Sequence, residues 1–550
     1  MMQARAFAQF DHFYALYRPL TPMGRRERDR LEFFTDKNRL EREYDGIELF
    51  ADFLKKQPQK AEQAKYFLRQ ISAVDDPARG KFDSPDIFLF KRLLHNSKRL
   101  FALLPAKLRA HINAYWQSDA LLALLSKGGD GPESFHLSEK YSPALAAVRA
   151  KITETDAASA AIKQALHAEL QKKYNLDFRF RSFVLVPAEQ AKPLYGLPCL
   201  FVEPYDNLSM TVRPVYGQDF LALAQKRDEL ATIEKKEEKA VLSAISKKIA
   251  EAADEISGYI NAVTAADVLL AKAEMTRMLA LSRPRMRDED AAIEIANGRL
   301  PAVEEAALKR KLKYQPLNCA LNEKVILIHG SNMGGKTVAL QTITLLQLAA
   351  QHGFFVPAEK FSAPLVREVC CIGEGSDAPV QGLSSFGLEM FSFTQAFSGA
   401  RGRTLFVLDE FARTTNSREA AALLSAVAEA FAAKKGARAI MSTHFGGIRT
   451  KRDTGFYRMR GFDRAAFEKY FAGQAGESLE QRLRTINRFM RYELIPADDK
   501  TRIYDAVAVA AVLGVDKAII SAAEKYMEAP DEEQIRPVPH ENSRDKKTGR

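Results

Sequence analysis

HGSNMGGKT spans residues 329–337, past the middle of a 550-residue chain. The apolar run KVILIHG (324–330) leads into it, and TVALQTITLLQLA (337–349) leads out. These flanks read as a buried strand and a helix, so the glycines sit at a strand-to-helix turn. Gly330, four residues, then Gly335-Lys336-Thr337 is the spacing of a phosphate-gripping loop. Glycine lets the backbone curl until successive amides point at one anion, and the helix N-terminus adds its positive dipole end. The expected nucleotide-binding residues are Gly330, Ser331, Asn332, Met333, Gly334, Gly335, Lys336, Thr337 and Val338. Lys336 is placed to reach the β- and γ-phosphates of ATP, and the Thr337 hydroxyl to ligate Mg2+. Such loops serve kinases, motors, transporters and repair machines alike, so this stretch names a nucleotide and leaves the job open.

Two further strands supply partners for the loop. TLFVLDE (404–410) is an apolar strand ending in Asp409-Glu410, and packing alone gives a buried strand no reason to end in paired carboxylates. Asp409 is expected in the magnesium shell, with Glu410 as general base on the attacking water. His444 follows a third apolar strand in MSTHF and reads as a sensor of the γ-phosphate or lytic water. Between them, GLSSFGLEM (382–390) places Ser384 and Ser385 before an amphipathic helix. Either serine is a candidate helix cap; the functional alternative is a second phosphate-contacting helix start, used on a neighbouring subunit.

The bulk numbers limit the classes. Lys and Arg total 81 against 70 Asp and Glu, a net charge of +11 that permits an anionic partner such as nucleic acid without requiring one. Cys199, Cys319, Cys370 and Cys371 form no CxxC pair and have no histidine cluster nearby. They read as buried, reduced thiols. No 18-residue apolar run exists, and the N-terminus lacks a continuous signal-peptide core, so a cytoplasmic protein is expected.

Residues 1–140 read as a helical domain, with Leu, Phe and Ile at three- and four-residue spacing. Residues 141–285 read as long helical arms carrying a small β-rich insert at about 170–215, where DFRFRSFVLV (177–186), CLFVEP and NLSMTVRP carry strand signals. Gln218 to Arg283 contains no proline and one glycine, Gly258; it predicts two or three helical pieces. Residues 286–500 alternate strands and helices, which predicts a parallel sheet covered on both faces, an α/β P-loop NTPase. A helical segment at 501–530 and a polar, disordered tail at 531–550 complete the chain.

Taken together these residues resemble the MutS family of DNA mismatch-repair ATPases. GSNMGGKT is similar to the family's GPNMGGKST, with Ser331 for Pro, and DEFARTTNSREAAAL to its DEIGRGTST segment. STHF resembles its switch, GLSSFGLEM its signature loop with Leu383 for Arg, and GRLPAVEE (298–305) its GRHP element with Leu300 for His. YDAVAVAAVLGVDKAIISAA (504–523) resembles its C-terminal pairing segment, and LTPMGRRERD, from Leu20, the opening of its lever domain.

The resemblance implies a homodimer with composite ATP sites. Lys336, Asp409, Glu410 and His444 of one chain would work with the Ser384 loop of the other, and nucleotide state would move the helical levers. It implies double-stranded or branched DNA, held by its phosphates, with Arg179, Arg181 and the lysines at 235, 236, 247 and 248 as candidate contacts. No mismatch-reading domain precedes the lever, so discrimination of a single mismatch is not expected. Two alternatives stay open. Short MutS-like ATPases also resemble the reactivating-chaperone subunits of cobalamin-dependent aminomutases, which act on a protein client; a regulatory or structural ATPase is the other.

Overall fold

The computed structural model describes residues 2–129, 131, 134–287, 291–330, 334–373, 384–450, 453–471, 489–497, 507, 510–511 and 514–528. The chain forms two compact units. One comprises Pro19–Glu27 and Gln57–Val268; the other comprises Met1–Arg18, Arg28–Lys56 and Leu269–Arg550.

The first unit is built on long helices. Pro143–Tyr174 and Gln218–Glu251 pack side by side, and Arg149 ties them by ion pairs to Glu234 at 2.7 Å and Glu238 at 2.8 Å. Gln218–Glu251 ends at Ala252, and a further helix, Ala253–Leu279, follows, so the break falls at Ala252 and not at Gly258. Between the paired helices lie three antiparallel strands, β1 (Val184–Pro187), β2 (Leu200–Pro204) and β3 (Ser209–Pro214), in the order β1-β3-β2. Val186, Leu200 and Val212 close over Leu170, Leu176 and Phe178 as a small core.

The strand expected over 177–186 begins only at Val184. Asn175 ends the preceding helix with φ 55°, and Asp177 then accepts the backbone N–H of Arg179 at 3.0 Å. That local turn competes with a ladder, and the alternation that suggested a strand belongs to a loop with Phe180 95% exposed.

The second unit holds the α/β fold. In chain order its strands are β4 (Arg285–Arg287), β5 (Ile293–Gly298), β6 (Leu317–Leu321), β7 (Val325–His329), β8 (Lys360–Pro364), β9 (Glu368–Ile372), β10 (Thr404–Leu408), β11 (Ala437–Thr443), β12 (Thr454–Phe462) and β13 (Met490–Pro496). Six form a sheet ordered β13-β12-β7-β11-β10-β9, parallel throughout except for β13, which pairs antiparallel to β12 at the edge. β7 and β10 are near-continuous apolar runs and β11 is buried along its whole length, because both faces are covered. The remaining four make a second sheet, β4-β8-β5-β6, whose β5 pairs antiparallel to both neighbours. The single parallel sheet expected over 286–500 is therefore two sheets. The second is hard to read in sequence because its strands are only three to six residues long and IEIANG and LNCAL are each interrupted by Asn, so none sustains a period.

The helical domain expected at 1–140 is divided between the units. Part of the reason lies at the helix Lys336–Gln351, which is buried nearly all round. The Tyr44 hydroxyl donates to the Ala350 carbonyl at 2.8 Å, and Gln351 Nε2 donates to the Phe34 carbonyl at 2.9 Å. Phe13, Tyr14 and Tyr17 pack edge-on against Phe354. The early helices are thus part of the core around this helix, a placement set by contacts some 300 residues apart in sequence.

Candidate nucleotide site

The site forms where β7, β10 and β11 end side by side. Register pairs His329 of β7 with Thr443 of β11, and Leu408 of β10 with Met441 of β11. Gly330 and the start of the helix Lys336–Gln351 therefore lie beside Asp409 and Glu410. Ser331, Asn332 and Met333 lie outside the described residues, as does Leu383.

Gly335 precedes the helix Lys336–Gln351 with φ 85°, a left-handed conformation, and a Cβ there would stand 2.7 Å from the Tyr492 ring. Glycine is required on both counts. Lys336 is 2% exposed. Its Nζ donates to the Gly330 carbonyl at 2.6 Å and lies 3.3 Å from Glu410 Oε1. Burial lowers the Lys336 pKa, opposed by the charges of Glu410 and Asp409. Thr337 and Val338 open the helix behind it.

Asp409 is held from two sides. Ser442 Oγ donates to its Oδ1 at 2.7 Å, and Thr337 hydrogen-bonds it through its side chain. Burial raises the Asp409 pKa, and those two hydrogen bonds oppose the rise. A hydroxyl in contact with a carboxylate is a hard-oxygen pair that suits Mg2+.

Glu410 has φ 49° and Ala412 has φ 63°, two left-handed residues without glycine on either side of the buried Phe411. Conformations of this kind cost about 1–2 kcal/mol each and persist where the surroundings impose them. Two side chains do so here. Ser442 Oγ accepts the Glu410 N–H at 2.9 Å, and Glu389 Oε2 accepts the Ala412 N–H at 3.1 Å. Burial pushes the Glu389 carboxyl up to about 7, with the Ala412 bond opposing.

His444 is exposed beyond the end of β11, its ring 4.1 Å from that of Phe445. Burial of part of the ring lowers its pKa, while Glu410 raises it and Lys336 lowers it, so it lies within electrostatic reach of both. Ser384 caps the helix Ser385–Gly399 by accepting the Gly387 N–H at 3.2 Å.

Sequence reasoning missed several neighbours. Ser442 and Glu389 stand inside STHF and GLEM, yet only the fold reveals what they hold. His329 has no role in that reading; its Nε2 is buried with no hydrogen-bond partner among the described residues, and burial and Lys336 lower its pKa. Tyr492 reaches Gly335 from the antiparallel edge strand.

Arg179 and Arg181 lie in the other unit, on the loop before β1. Arg179 is gripped by Asp177 through two bonds of 3.0 and 2.7 Å, which holds that carboxyl well below the usual range. Lys248 pairs with Glu251 at 2.6 Å. Of the C-terminal segment, the helix Lys517–Glu528 is described and leaves Ile519 and Tyr526 exposed; the expected tail at 531–550 lies outside the described residues. Among the described residues no helix is long and apolar enough to cross a membrane.

Residues 326–529 match the family model for MutS domain V. The chain is 30% identical over 325 residues to an endonuclease MutS2 of Thermomicrobium roseum, covering 55% of this chain and 39% of that protein. It is 28% identical over 336 residues to an endonuclease MutS2 of Lactobacillus acidophilus, covering 60% and 38%. With the DNA mismatch repair protein MutS of an Anaeromyxobacter species it shares 30% identity over 246 residues, covering 42% and 28%. The chain thus spans less than half the length of each of these relatives. The matched segment 326–529 contains Lys336, Asp409, Glu410 and His444, and over that segment the chain is similar to MutS-family proteins.

Proposed function

We propose that this protein binds and hydrolyses ATP. The observation that carries the reading is the meeting of Lys336, Thr337, Asp409 and Glu410 at one strand-end crevice, with Lys336 3.3 Å from Glu410. Lys336 neutralises the β- and γ-phosphate charge, exchanging the Gly330 carbonyl and Glu410 for phosphate oxygens. That exchange releases Glu410 to accept a proton from the attacking water. Thr337 and Asp409 hold Mg2+, which supplies charge neutralisation at the phosphates when bound. His444, at the end of β11 and within electrostatic reach of Glu410 and Lys336, orients the water or reads the γ-phosphate. The test is a pair of variants. Lys336→Ala abolishes tight ATP binding; Glu410→Gln binds ATP and fails to turn it over. Wild-type turnover by Glu410→Gln removes the general-base assignment.

The wider reading is that two copies share composite sites, each completed by the Ser384 and Ser385 loop of the other, and that nucleotide state moves the long helices against double-stranded or branched DNA. The names of the relatives, an endonuclease and a mismatch repair protein, support a DNA role. Mixing a Ser384→Ala variant with a Lys336→Ala variant tests the sharing. Heterodimers that recover part of the ATPase activity support it, and heterodimers that stay inactive over a range of mixing ratios refute it.

A further inference from the structure

We infer that Glu389 is a positioning residue for Glu410: it fixes the left-handed turn that presents the general base, and links that turn to the helix Ser385–Gly399. The inference rests on the ATPase reading for its consequence, and on geometry for its content.

Four residues, Asp409 to Ala412, turn sharply out of β10, with Glu410 and Ala412 both at positive φ. Two side-chain acceptors hold the turn. Ser442 takes the N–H of Glu410 from the strand on one side, and Glu389 takes the N–H of Ala412 from the helix on the other. Phe411, fully buried between them, packs against Phe393 of that same helix with ring centroids 5.2 Å apart. Phe393 and Phe397 in turn pack on Phe431. The helix and the turn are thus joined by apolar packing, with Phe393 on Phe411, and by the hydrogen bond from Ala412 to Glu389. Only the hydrogen bond acts on the backbone next to the general base.

Ala412 is fully buried, so its N–H has no water to fall back on once Glu389 leaves. An unpartnered amide destabilises this turn relative to one in which Ala412 rotates out of the left-handed region, and Glu410, two residues earlier, turns with it. Glu389 stands five residues beyond Ser384, about 7.5 Å along the helix axis.

The test uses the full chain with Glu389→Gln and Glu389→Asp. Glutamine keeps an acceptor oxygen at the same reach; aspartate keeps the charge but is one methylene too short. Both are assayed for ATP turnover well below their unfolding temperatures, for affinity toward a fluorescent non-hydrolysable ATP analogue, and for amide exchange in the peptide spanning 405–413. E389Q is expected to keep kcat within about threefold of wild type. E389D is expected to lose about tenfold or more in kcat, with KM and analogue affinity within about threefold, and to exchange the 405–413 amides faster. A purely packing role also makes E389D the weaker variant, since the apolar stem shortens only there; it predicts a lower unfolding temperature with kcat and exchange at 405–413 unchanged below it. The proposal is overturned if E389D matches wild type in kcat and in exchange, or if its defect lies in KM alone. Absence of turnover in wild type defeats the ATPase reading instead, and exchange in the 405–413 peptide then decides the Glu389 contact by itself.

Discussion

Gly24→Ala sets two known effects of similar size against each other. Gly24 lies in the first turn of the helix Pro22–Arg30, where alanine gains up to about 1 kcal/mol in propensity and unfolded-state entropy. On that ground the change stabilises. The structure opposes it, because a Cβ at Gly24 would stand 2.2 Å from Asp267 Oδ2 and 2.9 Å from Pro19 Cβ. Asp267 cannot step aside freely. Its Oδ1 accepts the Leu20 N–H at 2.8 Å, and its Oδ2 accepts both the Thr21 N–H and the Thr21 hydroxyl at 2.7 Å. Burial raises the Asp267 pKa in spite of these three donors, so the carboxyl is costly to hold and depends on them. Each buried donor left unmet costs about 1–3 kcal/mol, so losing two or three outweighs the propensity gain and leaves a net loss of roughly 2–5 kcal/mol. The assay is urea unfolding followed through Trp116, the only tryptophan of the chain. Trp116 stacks on Tyr259 at 5.1 Å, on the same helix as Asp267 and in the same unit. A loss of this size moves the midpoint down by about 1 M or more. In an Asp267→Ala background the nearer obstacle is gone and Pro19 Cβ remains, so the penalty of Gly24→Ala is expected to shrink to a fraction of its value in the wild-type chain. A raised midpoint in the otherwise wild-type chain, or the same penalty in both backgrounds, refutes the reasoning.

Three further outcomes are expected. His352 is buried, and burial lowers its pKa to about 4; its Nδ1 donates to the Glu32 carbonyl at 2.7 Å. The unfolded state therefore takes up this proton first, so the stability that depends on the neutral ring is present above about pH 6.5 and is lost toward pH 4, up to roughly 3 kcal/mol. His352→Asn flattens that slope in thermal unfolding scans from pH 7 to 4, and an unchanged slope refutes the assignment. Gly335→Ala weakens ATP-analogue binding by about tenfold or more, and Tyr492→Ala in the same chain restores part of it by removing the 2.7 Å clash but not the left-handed cost. If duplex DNA is held by its phosphates, affinity falls roughly tenfold or more between 50 and 200 mM salt. Arg179→Ala changes it little because Asp177 already occupies that guanidinium; a flat salt response points away from DNA.

The parts of this molecule legible in sequence are those whose role is fixed by their chain neighbours. A loop that curls amides around phosphate needs Gly330, Gly335, Lys336 and Thr337 at set spacings, and a strand covered on both faces is mostly apolar, as β7 and β10 are. The residues that went unread take their role from register. Ser442 touches Asp409 because β11 lies parallel to β10 with Leu408 opposite Met441; shift the pairing by one and the hydroxyl turns to the other face. Glu389 meets Ala412 because an aromatic row, Phe393 and Phe397, sets the helix on Phe411 and Phe431. In sequence that row reads only as an apolar face, and Glu389 reads as a polar residue beside it. The 177–183 stretch fails in the other direction. Its alternation of apolar and basic residues satisfies a strand template, but one Asp177 turn removes the backbone from any ladder. Periodicity records which side chains prefer cover, whereas the turn at Glu410 is held by which amides find an acceptor, and at Glu410 and Ala412 both acceptors come from elements that neither residue can see in its own neighbourhood of the chain.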